Sequence, residues 1–144
     1  MAILNYTTKI EAAKTVGEIQ AMLVKKGANS IRIQYEKGVP LAVEFETDTP
    51  TMGLQFYSYA PNVEGVLRSM KNDRAISNSV CNLDQARRVA WRIEKDWIEA
   101  QFAKMEAMEV PLEKLMLPYM VNNGVPLYAA LVEQRMKMLG SGSE

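Results

Sequence analysis

The side chains in this sequence that are best suited to hold a ligand are basic. One group surrounds the end of a predicted short helix and the loop after it, and a second group occupies the first turns of a predicted long helix. This basic patch comprises Arg68, Lys71 and Arg74 in the first group and Arg87, Arg88 and Arg92 in the second. Guanidinium groups beside the amino end of a helix bind phosphate well, because free backbone amides and the helix dipole add to the side-chain charge. The loop of residues 72–82 is long enough to bring both groups together, so the sequence predicts a site for a nucleotide or for nucleic acid.

Three aromatic residues near the basic patch could supply base stacking. Trp91 lies within the second group, and Tyr57 and Tyr59 lie on a predicted strand upstream. Aromatic rings beside a positive groove are typical of single-strand binders. The tryptophans are expected in a core or an interface before they are expected to stack on a base, and stacking by Trp91 stays open as the alternative.

A second interpretation makes the arginines a solvated helix face. Oppositely charged residues recur there at the i,i+4 spacing that favours ion pairs, namely Asp84 with Arg88, Arg92 with Asp96, and Lys95 with Glu99. Each such pair stabilises a helix by only about 0.3–0.5 kcal/mol. Under this interpretation the basic patch is not a site.

The residue types exclude most catalytic machinery. The sequence has no histidine and a single cysteine, Cys81, so Ser-His-Asp and Cys-His systems, the usual zinc ligand sets and an internal disulfide are excluded. Phosphate-binding glycine motifs, CxxC, HExxH and EF-hand loops are absent as well. Glu94 lies on a different helix face from Asp96 and Glu99, so these carboxylates do not form an acid/base pair. We therefore expect no enzyme, no catalytic residue, no metal and no cofactor.

Composition indicates one cytoplasmic domain. A chain of 144 residues is near the commonest domain size, and 17 basic side chains balance 17 acidic ones, so no overall field attracts nucleic acid or a membrane. The first residues lack a secretion signal, and no stretch approaches the roughly 20 apolar residues of a membrane span. We expect a single α+β domain over residues 1–139 and a flexible tail over residues 140–144.

The elements of the first half are a helix and three strands. Thr7 or Thr8 can cap a helix that runs to about Lys26, where Gly27 ends it. Alternating polar and apolar residues predict strands at residues 30–37 and 41–46, with Leu41, Val43 and Phe45 on one side of the second strand. A third strand at residues 52–59 has Leu54, Phe56 and Ser58 on one side. The pattern predicts a three-stranded antiparallel meander whose apolar face is covered by the first helix.

The second half is predicted to be helical. A short helix extends from Pro61 to about Lys71, and a long one opens at Asn82 or Asp84 and runs to about Glu109. Pro111 starts another short helix, residues 122–124 form a turn, and a last helix covers residues 127–139.

The long helix has an apolar arc too wide for one packing surface. The first stripe is Ala86, Val89, Ala90, Ile93, Trp97 and Ala100, and the second stripe, about 120° away, is Trp91, Ile98, Phe102 and Met105. We expect the second stripe to be covered by the last helix or by a second chain, and we favour an oligomer of at least two copies with these four residues at its interface.

The segment from Ala86 to Met120 resembles a family of small proteins encoded by bacteriophages and prophages. The residues that carry the resemblance are ARRVAWRIEKDWIEAQFAKMEA followed by VPLEKLMLPYM, with GANSIRIQYE at 27–36 and APNVEGV at 60–66. The resemblance covers most of residues 20–130. It implies an accessory protein of a mobile element in the cytoplasm of a bacterial host, and it assigns no functional residues.

These observations together lead us to expect a non-enzymatic binding protein, with counter-defence as its leading role. It would either block a host defence nucleoprotein by surface contact or capture a nucleotide-derived signal in a basic pocket. Nucleic-acid binding in phage replication and an oligomeric scaffold are the alternatives. Each acts by stoichiometric binding, without turnover.

Overall fold

The computed structural model describes residues 3–141 and has the α+β architecture that the sequence predicts. In chain order its elements are α1 (Ala12–Lys25), β1 (Ser30–Glu36), β2 (Val39–Thr49), β3 (Gly53–Tyr59), α2 (Val63–Lys71), α3 (Leu83–Met108), α4 (Leu112–Leu115), β4 (Met120–Asn122), β5 (Val125–Pro126) and α5 (Leu127–Ser141). Single 3-10 turns lie at Asn78–Val80 and Leu117–Tyr119.

The sheet has five antiparallel strands in the order β1-β2-β3-β4-β5, so the predicted count of three was wrong. The meander β1-β2-β3 is present, and β4 pairs with β3 through Phe56 with Val121 and Tyr57 with Met120. Strands of three and two residues are too short to show an alternating pattern, which is why the sequence did not reveal β4 and β5. The predicted turn between them is confirmed, since Asn123 and Gly124 have φ of 54° and 78°, as a two-residue hairpin requires.

One face of the sheet is buried against helices. Val43 and Phe45 on β2 and Tyr57 on β3 share one buried core with Val16, Ile19 and Leu23 of α1. Leu41 was expected on the same side as Val43 but is exposed, because a register irregularity at Gln34 and Tyr35 ends the regular pairing beside it. Leu54 and Phe56 face the opposite way, away from α1.

The amino end of α1 differs from the prediction. Glu11, not Thr7 or Thr8, is its N-cap, and the Thr8 hydroxyl accepts a hydrogen bond from the Ile10 amide instead. The segment before the helix is attached to α3, since Gln85 Nε2 donates to the carbonyl oxygens of Tyr6 and Thr8, both at 2.9 Å. The residues expected to cap α1 thus lie in a segment that is held by α3.

The second apolar stripe of α3 and most of the first are covered within the same chain, and Ala100 at the end of the first stripe is exposed. Trp91, Ile98 and Phe102 of the second stripe are buried in the main core with the sheet and α1, and Met105 is partly buried against that core. In the first stripe, Ala86 and Val89 are buried against Met70 of α2 and Ile76 of the following loop. The prediction that the second stripe forms an oligomer interface is wrong, because α3 is an internal helix with the sheet on one side and α2 on the other.

The boundaries of the long helix agree with the prediction. The Asn82 side chain accepts a hydrogen bond from the Gln85 amide at 2.9 Å and caps α3, and Glu109 ends it in a left-handed conformation. The last helix continues through Ser141, two residues beyond its predicted end, so the expected tail begins too early. Residues 142–144 of that tail lie outside the described residues.

Candidate functional site

The arginines at the start of α3 are each occupied by a carboxylate. Arg87 Nη1 lies 3.1 Å from Asp84 Oδ1, and Arg88 Nη1 lies 3.7 Å from Glu11 Oε1 on α1. Arg92 Nη1 donates to Glu18, also on α1, and its side chain is only 14% exposed. Arg88 and Arg92 join α3 to α1 and its N-cap residue Glu11, whereas Arg87 pairs within α3. A phosphate would have to displace a carboxylate that each arginine already binds.

The two groups of the basic patch are not brought together. Arg68, Lys71 and Arg74 are exposed on α2 and the loop after it, and α2 packs on the arc of α3 that carries Ala86 and Val89. Arg87 and Arg88 line a cavity of about 310 Å³ on the other side, beside Glu11, Asp84 and the β1–β2 hairpin. None of Arg68, Lys71 and Arg74 lines that cavity, and its two carboxylates balance its two arginines. This cavity therefore does not combine the two groups of the basic patch, and the phosphate site stays a prediction.

The predicted stacking residues are in the core. Tyr57 and Trp91 are fully buried, and Tyr59 is 4% exposed. Tyr57 stacks on Phe45 with ring centroids 5.1 Å apart, so its ring face is already used. The prediction that these rings accept a base was wrong, because Tyr57 and Tyr59 point to the helix-covered face of the sheet.

One of the three ion pairs expected along the surface of α3 is present. Lys95 Nζ lies 2.9 Å from Glu99 Oε2, as the i,i+4 spacing predicts. Asp96 instead accepts a hydrogen bond from Asn5 Nδ2 at 2.9 Å, and Arg92 and Arg88 pair with α1. Glu94 is partly buried, and that burial raises its carboxyl pKa.

Within residues 3–141, no group of three histidine, cysteine, aspartate or glutamate side chains is arranged to hold a metal ion.

None of the helices in the described chain combines the length and the apolar character needed to cross a bilayer.

The face of the sheet that points away from α1 and α3 is a surface that sequence reasoning missed. We call it the outer sheet face, and its members alternate with the buried residues of each strand. They are Arg32 and Gln34 on β1, Glu44, Glu46 and Asp48 on β2, Leu54, Phe56 and Ser58 on β3, and Val121 on β4. Leu54 and Phe56 are 48% and 52% exposed, so no helix of the described chain covers them.

The outer sheet face combines negative charge with an apolar groove. Glu46 is paired across the strands with Phe56, and Phe56 with Val121, so a carboxylate borders the apolar centre. Three carboxylates oppose one arginine, whose Nη1 lies 3.7 Å from Glu44 Oε2. A groove of about 310 Å³ follows the apolar side, lined by Glu44, Phe56, Tyr57, Ser58, Val121, Asn123 and Gly124.

A signal for this face was present in the sequence. On β2 the positions that alternate with Val43, Phe45 and Thr47 are the acidic Glu44, Glu46 and Asp48. On β3 each alternating set contains large apolar or aromatic residues, Leu54 and Phe56 in one and Tyr57 and Tyr59 in the other, which is unusual for a strand with one face in water. Large apolar or aromatic residues on both faces of a strand indicate a second packing surface.

The comparisons with known proteins assign no family. No protein-family model matches the chain, and neither a curated protein nor a solved structure is significantly similar to it.

Proposed function

We propose that this chain is a non-enzymatic accessory protein of a bacteriophage or prophage that acts in counter-defence by binding a host protein stoichiometrically. The outer sheet face would dock on a basic and partly apolar surface of a host nucleic-acid-binding complex. The single observation that carries this proposal is the exposure of Leu54 and Phe56 beside a row of carboxylates on an uncovered sheet face. The phage context is supported by the sequence resemblance of residues 86–120.

The apolar part of this face would supply binding free energy. Complete burial of a leucine or phenylalanine side chain contributes about 1.5–3 kcal/mol. Leu54 and Phe56 are each half exposed, so covering them would contribute roughly 1 kcal/mol apiece. Exposed aromatic residues at the centre of a surface are the typical anchors of protein interfaces.

The carboxylates would supply specificity and speed of association. Charged groups of opposite sign steer two proteins together and reject partners of the wrong charge. A defence protein that binds nucleic acid presents lysine and arginine side chains to a polyanion. Glu44, Glu46 and Asp48 present a row of negative charges to such a surface in place of the nucleic acid.

The other roles expected from the sequence have less support. Capture of a nucleotide requires free cations, but Arg87, Arg88 and Arg92 are bound to carboxylates. Binding of a nucleic-acid strand requires exposed rings, but Tyr57, Tyr59 and Trp91 are buried. The outer sheet face would itself repel phosphate.

The test combines a cellular and a biochemical readout. Plating of a defence-sensitive phage is measured on bacteria that carry a nucleic-acid-binding defence complex, with and without this protein. Binding to the purified complex is then titrated by calorimetry. We expect protection that saturates near one copy per binding site, and we expect Glu46→Lys and Phe56→Ser to weaken both readouts by tenfold or more.

Matched controls lie elsewhere on the surface. Glu64→Lys reverses an exposed acid on α2, and Val24→Ser removes an exposed apolar group on α1. Both should leave binding unchanged. Full protection by the Glu46 and Phe56 variants, or protection at far below stoichiometric amounts, would count against the proposal. Tight binding of free oligonucleotides that Glu46→Lys strengthens would favour the replication role instead.

A further inference from the structure

The last helix is the most exposed element of the chain. Every residue from Tyr128 to Gly140 is exposed, including Tyr128 at 65%, Leu131 at 53% and Met136 at 64%. Val132, Met138 and Leu139 are exposed in the same way. A helix of 15 residues is marginal in water by itself, because most helix stability in proteins comes from packing an apolar face. We therefore expect another surface to cover α5.

The apolar residues of α5 occupy one side. At about 100° per residue, Met138 and Leu131 lie at one edge of the arc, Tyr128, Leu139 and Val132 follow, and Met136 lies at the other edge. Arg135 falls within this arc, between Leu131 and Tyr128. Glu133 and Lys137 form an ion pair at 3.4 Å and fall on the opposite side. The face that needs a cover is therefore apolar with one positive charge inside it.

Arg135 lacks a counter-charge in the described residues, where it makes no ion pair. The outer sheet face carries a charge of the opposite sign without a partner in the described chain. Glu46 lies beside the exposed Phe56, and its carboxylate has no side-chain partner among residues 3–141. One molecule thus carries two uncovered apolar surfaces, a helix with an embedded cation and a sheet face with an embedded anion. Their chemistry is complementary.

The helix contacts β4, β5 and the 3-10 turn Leu117–Tyr119, and it leaves Leu54 and Phe56 on the outer sheet face about half exposed. β5 ends at Pro126 and α5 begins at Leu127, so no linker separates them. The direction of α5 is therefore fixed by the strand before it. While this direct connection holds and β4 stays paired with β5, a helix laid across the outer sheet face would come from a second molecule.

We propose that two copies of this chain exchange α5 helices, so that each α5 packs on the outer sheet face of the partner with Arg135 against Glu46. A helix of 15 residues is about 22 Å long, at 1.5 Å per residue, and roughly 10 Å wide. One contact of that size is small beside the about 1,600 Å² of a standard interface. A two-fold exchange makes the contact twice and covers both uncovered surfaces of each copy.

This inference deepens the proposed function, on which it depends for its biological meaning. If the outer sheet face is also the target-binding face, the free protein protects that face as a dimer. The target would then compete with α5 of the second copy, and binding would convert dimers to target-bound monomers. The dimer itself is measurable without any target.

The test exchanges the charges at Arg135 and Glu46. Sedimentation and light scattering at micromolar concentration then measure the oligomeric state of each variant. We expect the wild type to be a dimer, and we expect Arg135→Glu and Glu46→Arg each to weaken dimerisation by roughly tenfold or more, since a buried charge pair is broken. The double variant should dimerise again. An equimolar mixture of the two single variants should form a heterodimer, because every helix then meets a sheet face of opposite charge.

The control variant and the results that would overturn the proposed dimer are as follows. Lys137→Glu alters a basic residue on the opposite side of α5 and should leave the dimer intact, and thermal melts confirm that each variant folds. A monomeric wild type overturns the inference, as does a mixture that stays monomeric. Loss of the dimer in Arg135→Glu but not in Glu46→Arg also overturns it, since it indicates helix-on-helix contact. A wild-type dimer that never binds a defence complex leaves the exchange standing and removes the proposed function alone.

Discussion

The hydroxyl group of Thr51, in the turn between β2 and β3, donates a hydrogen bond to the carboxylate of Glu113 on α4. The two residues are 62 positions apart, and Glu113 is buried. The bond attaches the tip of the β2–β3 hairpin to the helical second half. Together with a weaker contribution from Thr49, it holds the pKa of Glu113 below the ordinary value of 4.5.

Glu113→Gln should lower the melting temperature at pH 7. A carboxyl group whose folded pKa is depressed stabilises the fold above its ordinary pKa, and this contribution is lost as the pH falls through the folded pKa. The difference in melting temperature between wild type and variant should therefore shrink below pH 4.5. Thr51→Val removes the donor and should show the same pH dependence. A difference that is constant from pH 7 to pH 3 would mean that the charge of Glu113 is not involved.

Glu94→Gln should change the melting temperature at pH 7 in the opposite direction. Burial raises the pKa of Glu94 above 4.5, so its charged form destabilises the fold once the pH exceeds the ordinary pKa. The variant should melt at a higher temperature than the wild type at pH 7, and the gain should vanish below about pH 4.5. The measurement is the melting temperature of both proteins across this range. A loss of stability at neutral pH would instead reveal a cationic or hydrogen-bonding partner for Glu94.

Ile98→Ala should destabilise the monomer by about 2–5 kcal/mol, because it removes a fully buried side chain between α3 and the sheet. Chemical denaturation measures the free energy of unfolding. Lys104→Ala, at an exposed position of the same helix, should change it by less than about 0.5 kcal/mol. Unchanged monomer stability with weaker self-association would restore the interface role once expected for Ile98.

A double-mutant cycle at Arg92 and Glu18 should show a coupling free energy of roughly 1 kcal/mol, because the pair joins α1 to α3 at a partly covered site. The cycle uses Arg92→Met, Glu18→Gln and the double variant. Inorganic phosphate and nucleotides should leave the melting temperature of the wild type unchanged. Stabilisation by phosphate that is lost in Arg92→Met would show that Arg92 exchanges Glu18 for an anion.

Local signals predicted the helices better than they predicted what covers them. The cap at Asn82 and the apolar spacing located α3 to within a residue. The two apolar stripes showed that two surfaces must cover it. They could not show that both belong to the same chain, since that depends on how residues such as Met70 and Phe45 come together in space.

The candidate site was mispredicted for the same physical reason. The i,i+4 rule found Lys95 with Glu99, because that pair is local. It could not find Arg92 with Glu18, which are 74 positions apart and meet only when α1 and α3 pack. On β3 the sequence offers Leu54 and Phe56 or Tyr57 and Tyr59 as the inward set. Only the packed fold selects the tyrosines and leaves the other pair outside.

The pairing of β3 with β4 affects how this chain matures on the ribosome. Tyr57 cannot pair with Met120 until that residue is synthesised, 63 residues later. At about 5–20 residues per second that delay is roughly 3–13 s. Throughout this interval the nascent chain presents the open edge of β3 beside Leu54 and Phe56, and an open strand edge invites pairing with other chains. Translation speed across residues 60–120 therefore sets how long neighbouring nascent chains on one message can aggregate before each sheet is complete.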